Sequence, residues 1–70
     1  MEVRASMPGT VATISVRLNA RVQEGDTLMT VEAMKLRTPV VAPASGVVVR
    51  ILVEEGDIVS DDHLLAVIEE

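Results

Sequence analysis

The 70-residue sequence predicts an all-β domain made of two copies of one unit, arranged as two sheets related by a pseudo-two-fold axis. Three observations carry this. The first is an internal repeat at an offset of 37 residues. Gly9 matches Gly46, Val11 matches Val48, Ile14 matches Ile51 and Val16 matches Val53. Val22 matches Val59, Leu28 matches Leu65 and Glu32 matches Glu69, with no gap needed anywhere. The second is composition: 49% apolar residues, rich in valine and free of aromatic residues, which suits the pleated surface of a sheet. The third is the lack of any ten-residue stretch of helical periodicity, together with breaks at Pro8, Pro39 and Pro43.

In order along the chain, each half reads as strand, turn, short strand, turn, strand. "TISVRL" alternates, with Ile14, Val16 and Leu18 on one face. "NARVQEGD" and "GDIVSDDH" are turn-rich connectors. The repeat sets Asn19 opposite Gly56 and Gly25 opposite Asp62, so both copies fill both turn positions with residues that tolerate a left-handed backbone. "TLMTVE" and "LLAVIE" close the two halves as strands. Six to eight short strands result, and neither half can bury its apolar face alone. Residues 1–70 form a single domain of the size that buries only about 60% of its unfolded surface.

Composition also excludes function classes. There is no cysteine, hence no disulfide framework and no thiolate metal site. A net charge of −5, six scattered basic residues and no aromatic to stack on a base disfavour nucleic-acid binding. The longest apolar runs are too short to span a bilayer. Glu2 and Arg4 stand where an export signal needs apolar residues, so an intracellular domain is expected, in the cytoplasm or in an organelle matrix such as the mitochondrial one.

The joint between the halves is "EAMKLRT". A strand enters it and another leaves, which sets Ala33, Met34, Lys35 and Leu36 at or near a hairpin tip with Lys35 pointing to solvent. Most exposed lysines serve only solubility. Here apolar Met34 and Leu36 flank the lysine at a cost in solubility, as at sites that an enzyme must recognise. A turn mounted on strands also fixes an attached group better than a flexible tail does.

Other candidates are weaker. Asp61, Asp62 and His63 have metal-ligand chemistry, but adjacent turn residues rarely point at one ion, and the repeat aligns them with the turn "QEGD". "EEGD" reads as a solvated acidic turn. With one histidine and no cysteine, no nucleophile–base pair is expected, so catalytic residues and metal ligands are both predicted to be absent.

"SMPGTV", "EGDTLMTVEAMKL", "APASGVV" and "ILVEEGDIV" together resemble the biotinyl domains of biotin-dependent carboxylases. The resemblance spans essentially the whole chain. It implies a barrel-sandwich hybrid of two four-stranded sheets, with biotin joined to Lys35 and with Ala33, Met34 and Leu36 as the recognition residues beside it. The family motif is usually Ala-Met-Lys-Met, so Leu36 is a departure, though one that conserves volume and apolarity. Asn19-Ala20 and Asp62-His63 depart from the turns common in the family, and Asn and Asp preserve the backbone requirement. The chain has no room for the thumb segment of some bacterial acetyl-CoA carboxylase carriers.

An exposed lysine amine is almost wholly protonated at neutral pH, so the domain is not expected to modify itself. The resemblance implies a biotin protein ligase that acylates Lys35. It also implies a biotin carboxylase and a carboxyltransferase between which the domain carries a carboxyl group, acting as a carrier and not as a catalyst. Two alternatives stand beside it. Lipoyl domains share the duplicated fold, but usually place Asp before the lysine, whereas Met34 points to biotin. An unmodified lipoyl-like binding module is the second, and such segments are typically interrupted at their midpoint by a long helical hairpin that is missing here.

Overall fold

A computed structural model describes residues 1–70 and contains strands and turns but no helix. None of it is a helix long and apolar enough to cross a membrane. The strands are β1 (Glu2–Arg4), β2 (Gly9–Ile14), β3 (Arg21–Val22), β4 (Thr27–Ala33), β5 (Leu36–Val41), β6 (Gly46–Ile51), β7 (Ile58–Val59) and β8 (Leu64–Glu69). They form two antiparallel four-stranded sheets of order β1-β8-β6-β3 and β5-β4-β2-β7. The fold class read from the sequence is the one observed.

The 37-residue repeat is reproduced in the hydrogen bonding. β2 maps onto β6, β3 onto β7 and β4 onto β8, while β1 maps onto the end of β5, so the two sheets have the same strand order. Each sheet takes its central pair from one half and its edge strands from the other. Even the register breaks repeat. β2 against β4 slips between Val11 and Thr13, and β6 against β8 slips between Val48 and Arg50.

The buried set follows the same symmetry. Ala5 and Ala42, Val11 and Val48, Val22 and Val59, Leu28 and Leu65, Met29 and Ala66, and Val31 and Ile68 are buried pairwise, with Val3 and Val53 completing the core. The partners of those last two, Val40 and Val16, pack against it partly buried. No polar or charged side chain is buried. Aliphatic packing between two interleaved halves therefore carries the stability, at about 25 cal/mol for each Å² removed from water.

One expected element is corrected. The strand predicted over "TISVRL" begins earlier, at Gly9, and ends at Ile14; Leu18 is 56% exposed. The bulge after Val11 bends β2, and the chain then enters the turn at Asn19. The Ser15 amide still bonds to β4, at the Leu28 carbonyl, at 2.8 Å. The alternation after Ile14 is thus that of a segment leaving the sheet.

Candidate functional site

β4 and β5 form the longest hairpin of the molecule, paired from Thr27–Val41 up to Ala33–Leu36. Two residues, Met34 and Lys35, close it. Their φ angles are 51° and 68°, so both adopt the left-handed conformation of a two-residue type I′ turn. Side chains resist that conformation by roughly 1–2 kcal/mol per residue, and Asn-Gly is the favoured filling. Met-Lys is held there by the ladder below it. β4 is anchored on its other side to β2, from Thr10–Glu32 down to Ile14–Met29.

The structure brings Ala33, Met34, Lys35 and Leu36 together as expected. Ala33 is half-buried at the last rung, Met34 is 94% exposed, Leu36 is 70% exposed and Lys35 is exposed. Lys35 is also the only lysine in the chain; the other five basic side chains are arginines. The two ion pairs, Arg4 with Glu2 and Arg37 with Glu32, leave its amine free. The second pair lies one rung below the tip at 3.9 Å, and its exposure limits it to a small contribution. The site is therefore a free amine on a strained, strand-held turn, between two apolar side chains in water. Chemically, an exposed amine held in this way can be acylated.

Met7-Pro8-Gly9 leads into β2 beside this hairpin. A Cβ at Gly9 would come within 2.6 Å of the Glu32 carbonyl oxygen and 2.7 Å of Val31 Cγ1. Only glycine lets β2 approach β4 so closely just below the turn.

The other candidates do not converge on a site. Asp62 takes the left-handed turn position with φ 68°, and its carbonyl accepts a hydrogen bond from Arg4 Nη1 at 3.0 Å. No group of three or more His, Asp or Glu side chains is placed to hold a metal ion. In "EEGD", Asp57 accepts from the Glu54 amide at 2.9 Å, which closes the turn. One exposed apolar side chain was not singled out by the sequence. Ile58, in edge strand β7, is 84% exposed. The legible signal was an apolar residue where the other half has Arg21.

The profile of a family described as biotin-requiring enzyme matches residues 1–68. Pyruvate carboxylase of Bacillus subtilis is 42% identical over 67 residues, which cover 96% of this chain and 6% of that protein. The chain thus spans only a small part of that relative. A biotinylated protein TB7.3 homolog of Mycobacterium leprae is 34% identical over 96% of this chain and 94% of its own length. Among solved structures, urea carboxylase of Kluyveromyces lactis superposes with a TM-score of 0.93 at 32% identity, over 99% of this chain and 6% of that one. The lipoyl domain of the 2-oxoglutarate dehydrogenase complex from Azotobacter vinelandii gives 0.84 at 29% identity, over 100% of this chain and 96% of that one.

Proposed function

The chain belongs to the biotin-requiring enzyme family, and from that premise we propose that Lys35 is its point of attachment for biotin and that the domain serves as a biotin carboxyl carrier. The observation that carries the proposal is the type I′ turn at Met34-Lys35, which spends backbone strain to hold the only lysine clear of the sheets. The residues fit the group: biotin bears a carboxylate, and an unpaired exposed amine is what an amide bond to it requires.

Bound there, biotin supplies a ring nitrogen that holds a carboxyl group between two active sites. The chain's own residues supply position. The β4–β5 ladder fixes the Cα of Lys35 and the lysine side chain adds flexible reach, so an encounter in solution becomes a local one at high effective concentration. Ala33, half-buried at the last rung, keeps the turn tight; Met34 and Leu36 offer apolar contacts to an enzyme that encloses the amine.

In this reading the catalytic steps belong to partners. A biotin protein ligase would use ATP to activate the biotin carboxylate, with pyrophosphate and AMP as leaving groups, and would take the protons that the Lys35 ammonium sheds as the amide forms. A biotin carboxylase and a carboxyltransferase then load and unload the carrier, and the choice of acceptor lies with the latter.

Intact mass after incubation with ATP, biotin and a biotin protein ligase tests the proposal. Gain of one biotinyl group, lost in Lys35→Arg, is expected. A parallel reaction with lipoate and its ligase addresses the likeness to the lipoyl domain. Gain with lipoate alone would overturn the carboxyl-carrier reading.

A further inference from the structure

The pseudo-two-fold symmetry makes the molecule its own reference: where two equivalent surfaces differ, packing does not account for the difference. The three most exposed large apolar side chains are Met34 (94%), Ile58 (84%) and Leu36 (70%). Leu36 and Ile58 lie in strands of the sheet β5-β4-β2-β7, and Met34 lies in the turn that joins two of them. Ile58 pairs with Thr10, and Thr10 pairs with Glu32 on its other side, one rung below the turn. These residues are exposed, so Ile58, Thr10 and Glu32 form a row across the outer face. With strands about 4.8 Å apart, Ile58 stands roughly 10 Å across from Glu32, at the hairpin end of the sheet. The equivalent row of the other sheet has Arg21 in place of Ile58.

We infer that Ile58 extends the recognition surface around Lys35, and that the partner it contacts is the biotin protein ligase which acylates that lysine. This rests on the reading of Lys35 as the acceptor. Two arguments select the occupant. An enzyme that encloses a lysine amine has to sit over the turn, and a standard interface of about 800 Å² per partner is a disc roughly 16 Å in radius. Centred on Lys35, such a footprint reaches Ile58. A second copy of the chain is the poorer occupant, because two domains of net charge −5 repel and three separated apolar side chains make little buried area. An exposed isoleucine on a two-residue edge strand also has no packing role. At an interface it gives a partner a rigid β-branched anchor beside the flexible Met34.

Steady-state kinetics of ATP-dependent biotinylation, with the domain as varied substrate, test this. Ile58→Arg installs the side chain that the other half carries at the equivalent position, so the fold has a precedent for it. Ile58→Thr keeps the β-branched shape and removes most of the apolar surface. Leu18→Arg is the control: Leu18 is 56% exposed, lies in the turn whose Asn19 amide bonds to Val48 of the other sheet, and aligns with the charged Glu55. The expected result is a KM raised on the order of tenfold by Ile58→Arg and less by Ile58→Thr, with kcat within about twofold and Leu18→Arg unchanged. Equal KM for wild type and both Ile58 variants would overturn the inference, as would an equal rise in Leu18→Arg. A wild-type dimer in sedimentation that Ile58→Arg dissolves would assign the face to a second copy, and so overturn it too. Failure of the underlying reading is separate: the wild-type domain itself would then accept no biotin.

Discussion

Asn19 and Gly56 occupy the same turn position in the two halves and stitch those halves together reciprocally. Their φ angles are 70° and 95°. The Asn19 amide donates to the Val48 carbonyl at 2.7 Å, and the Gly56 amide donates to the Val11 carbonyl at 2.8 Å. The second turn repeats the device: the Gly25 amide donates to Ala42 and the Asp62 amide to Ala5. Each of these four left-handed residues thus aims an N–H across the molecule. Nothing lies within 4 Å of a Cβ added at Gly56, so an alanine there meets only backbone strain. Gly56→Ala and Asn19→Ala should each cost about 1 kcal/mol, with Asn19→Gly close to neutral. Urea unfolding followed by circular dichroism checks all three, and a neutral Gly56→Ala would show that the turn adapts.

Gly9 and Gly46 are equivalent glycines of another kind, required by space. A Cβ at Gly9 meets the Glu32 carbonyl oxygen at 2.6 Å, and one at Gly46 meets the Glu69 carbonyl oxygen at 2.5 Å. Each alanine has to push β4 or β8 away, so both variants should lose on the order of 1–3 kcal/mol. They should part in function, because β4 leads into the Met34-Lys35 turn whereas β8 leads to the C-terminus. At a temperature where both are folded, Gly9→Ala is expected to be biotinylated several-fold more slowly than Gly46→Ala. Equal rates would mean that the turn is insulated from strand spacing.

Much of this architecture was legible because duplication writes each structural constraint twice. Gly9 with Gly46, and Asn19 with Gly56, were visible as pairs before their geometry was known, and the burial of Leu28 with Leu65 follows from the same register. The interleaving of edge strands was not legible, because strand order in a sheet depends on contacts between the halves that an offset cannot report. The end of β2 was misplaced because Val16 and Leu18 continue the alternation of Ile14 after the chain has left the ladder. The hairpin that presents Lys35 was legible as the joint between the two copies. The exposure of Ile58 was not, because it sits in a connector where apolar residues are usually read as packing.

Leu36 replaces the methionine usual in the motif that this chain resembles, and it is 70% exposed. An exposed side chain of nearly equal volume has no packing to disturb, so Leu36→Met should leave the melting temperature unchanged. Its effect belongs to the enzyme that encloses the turn, where a thioether adapts to an apolar pocket better than a branched chain. The biotinylation rate should rise by no more than about tenfold. A rise accompanied by a shifted melting temperature would place Leu36 in the fold instead.

The turn itself offers the sharpest separation of stability from function. Met34 and Lys35 hold φ of 51° and 68° against the preference of both side chains. Asn-Gly fits the same two-residue loop without that strain. The double variant Met34→Asn, Lys35→Gly should therefore stabilise the domain by about 1–3 kcal/mol, read as an upward shift of the urea midpoint at unchanged slope. It should also abolish biotinylation. A chain selected only to fold would have taken that substitution. On the reading of Lys35 as the acceptor, Met-Lys is retained where the hairpin most disfavours it because the strain serves what the lysine does. If the double variant proved no more stable than the wild type, the backbone at the tip would be relaxed, and the turn would lose its standing as a sign of function.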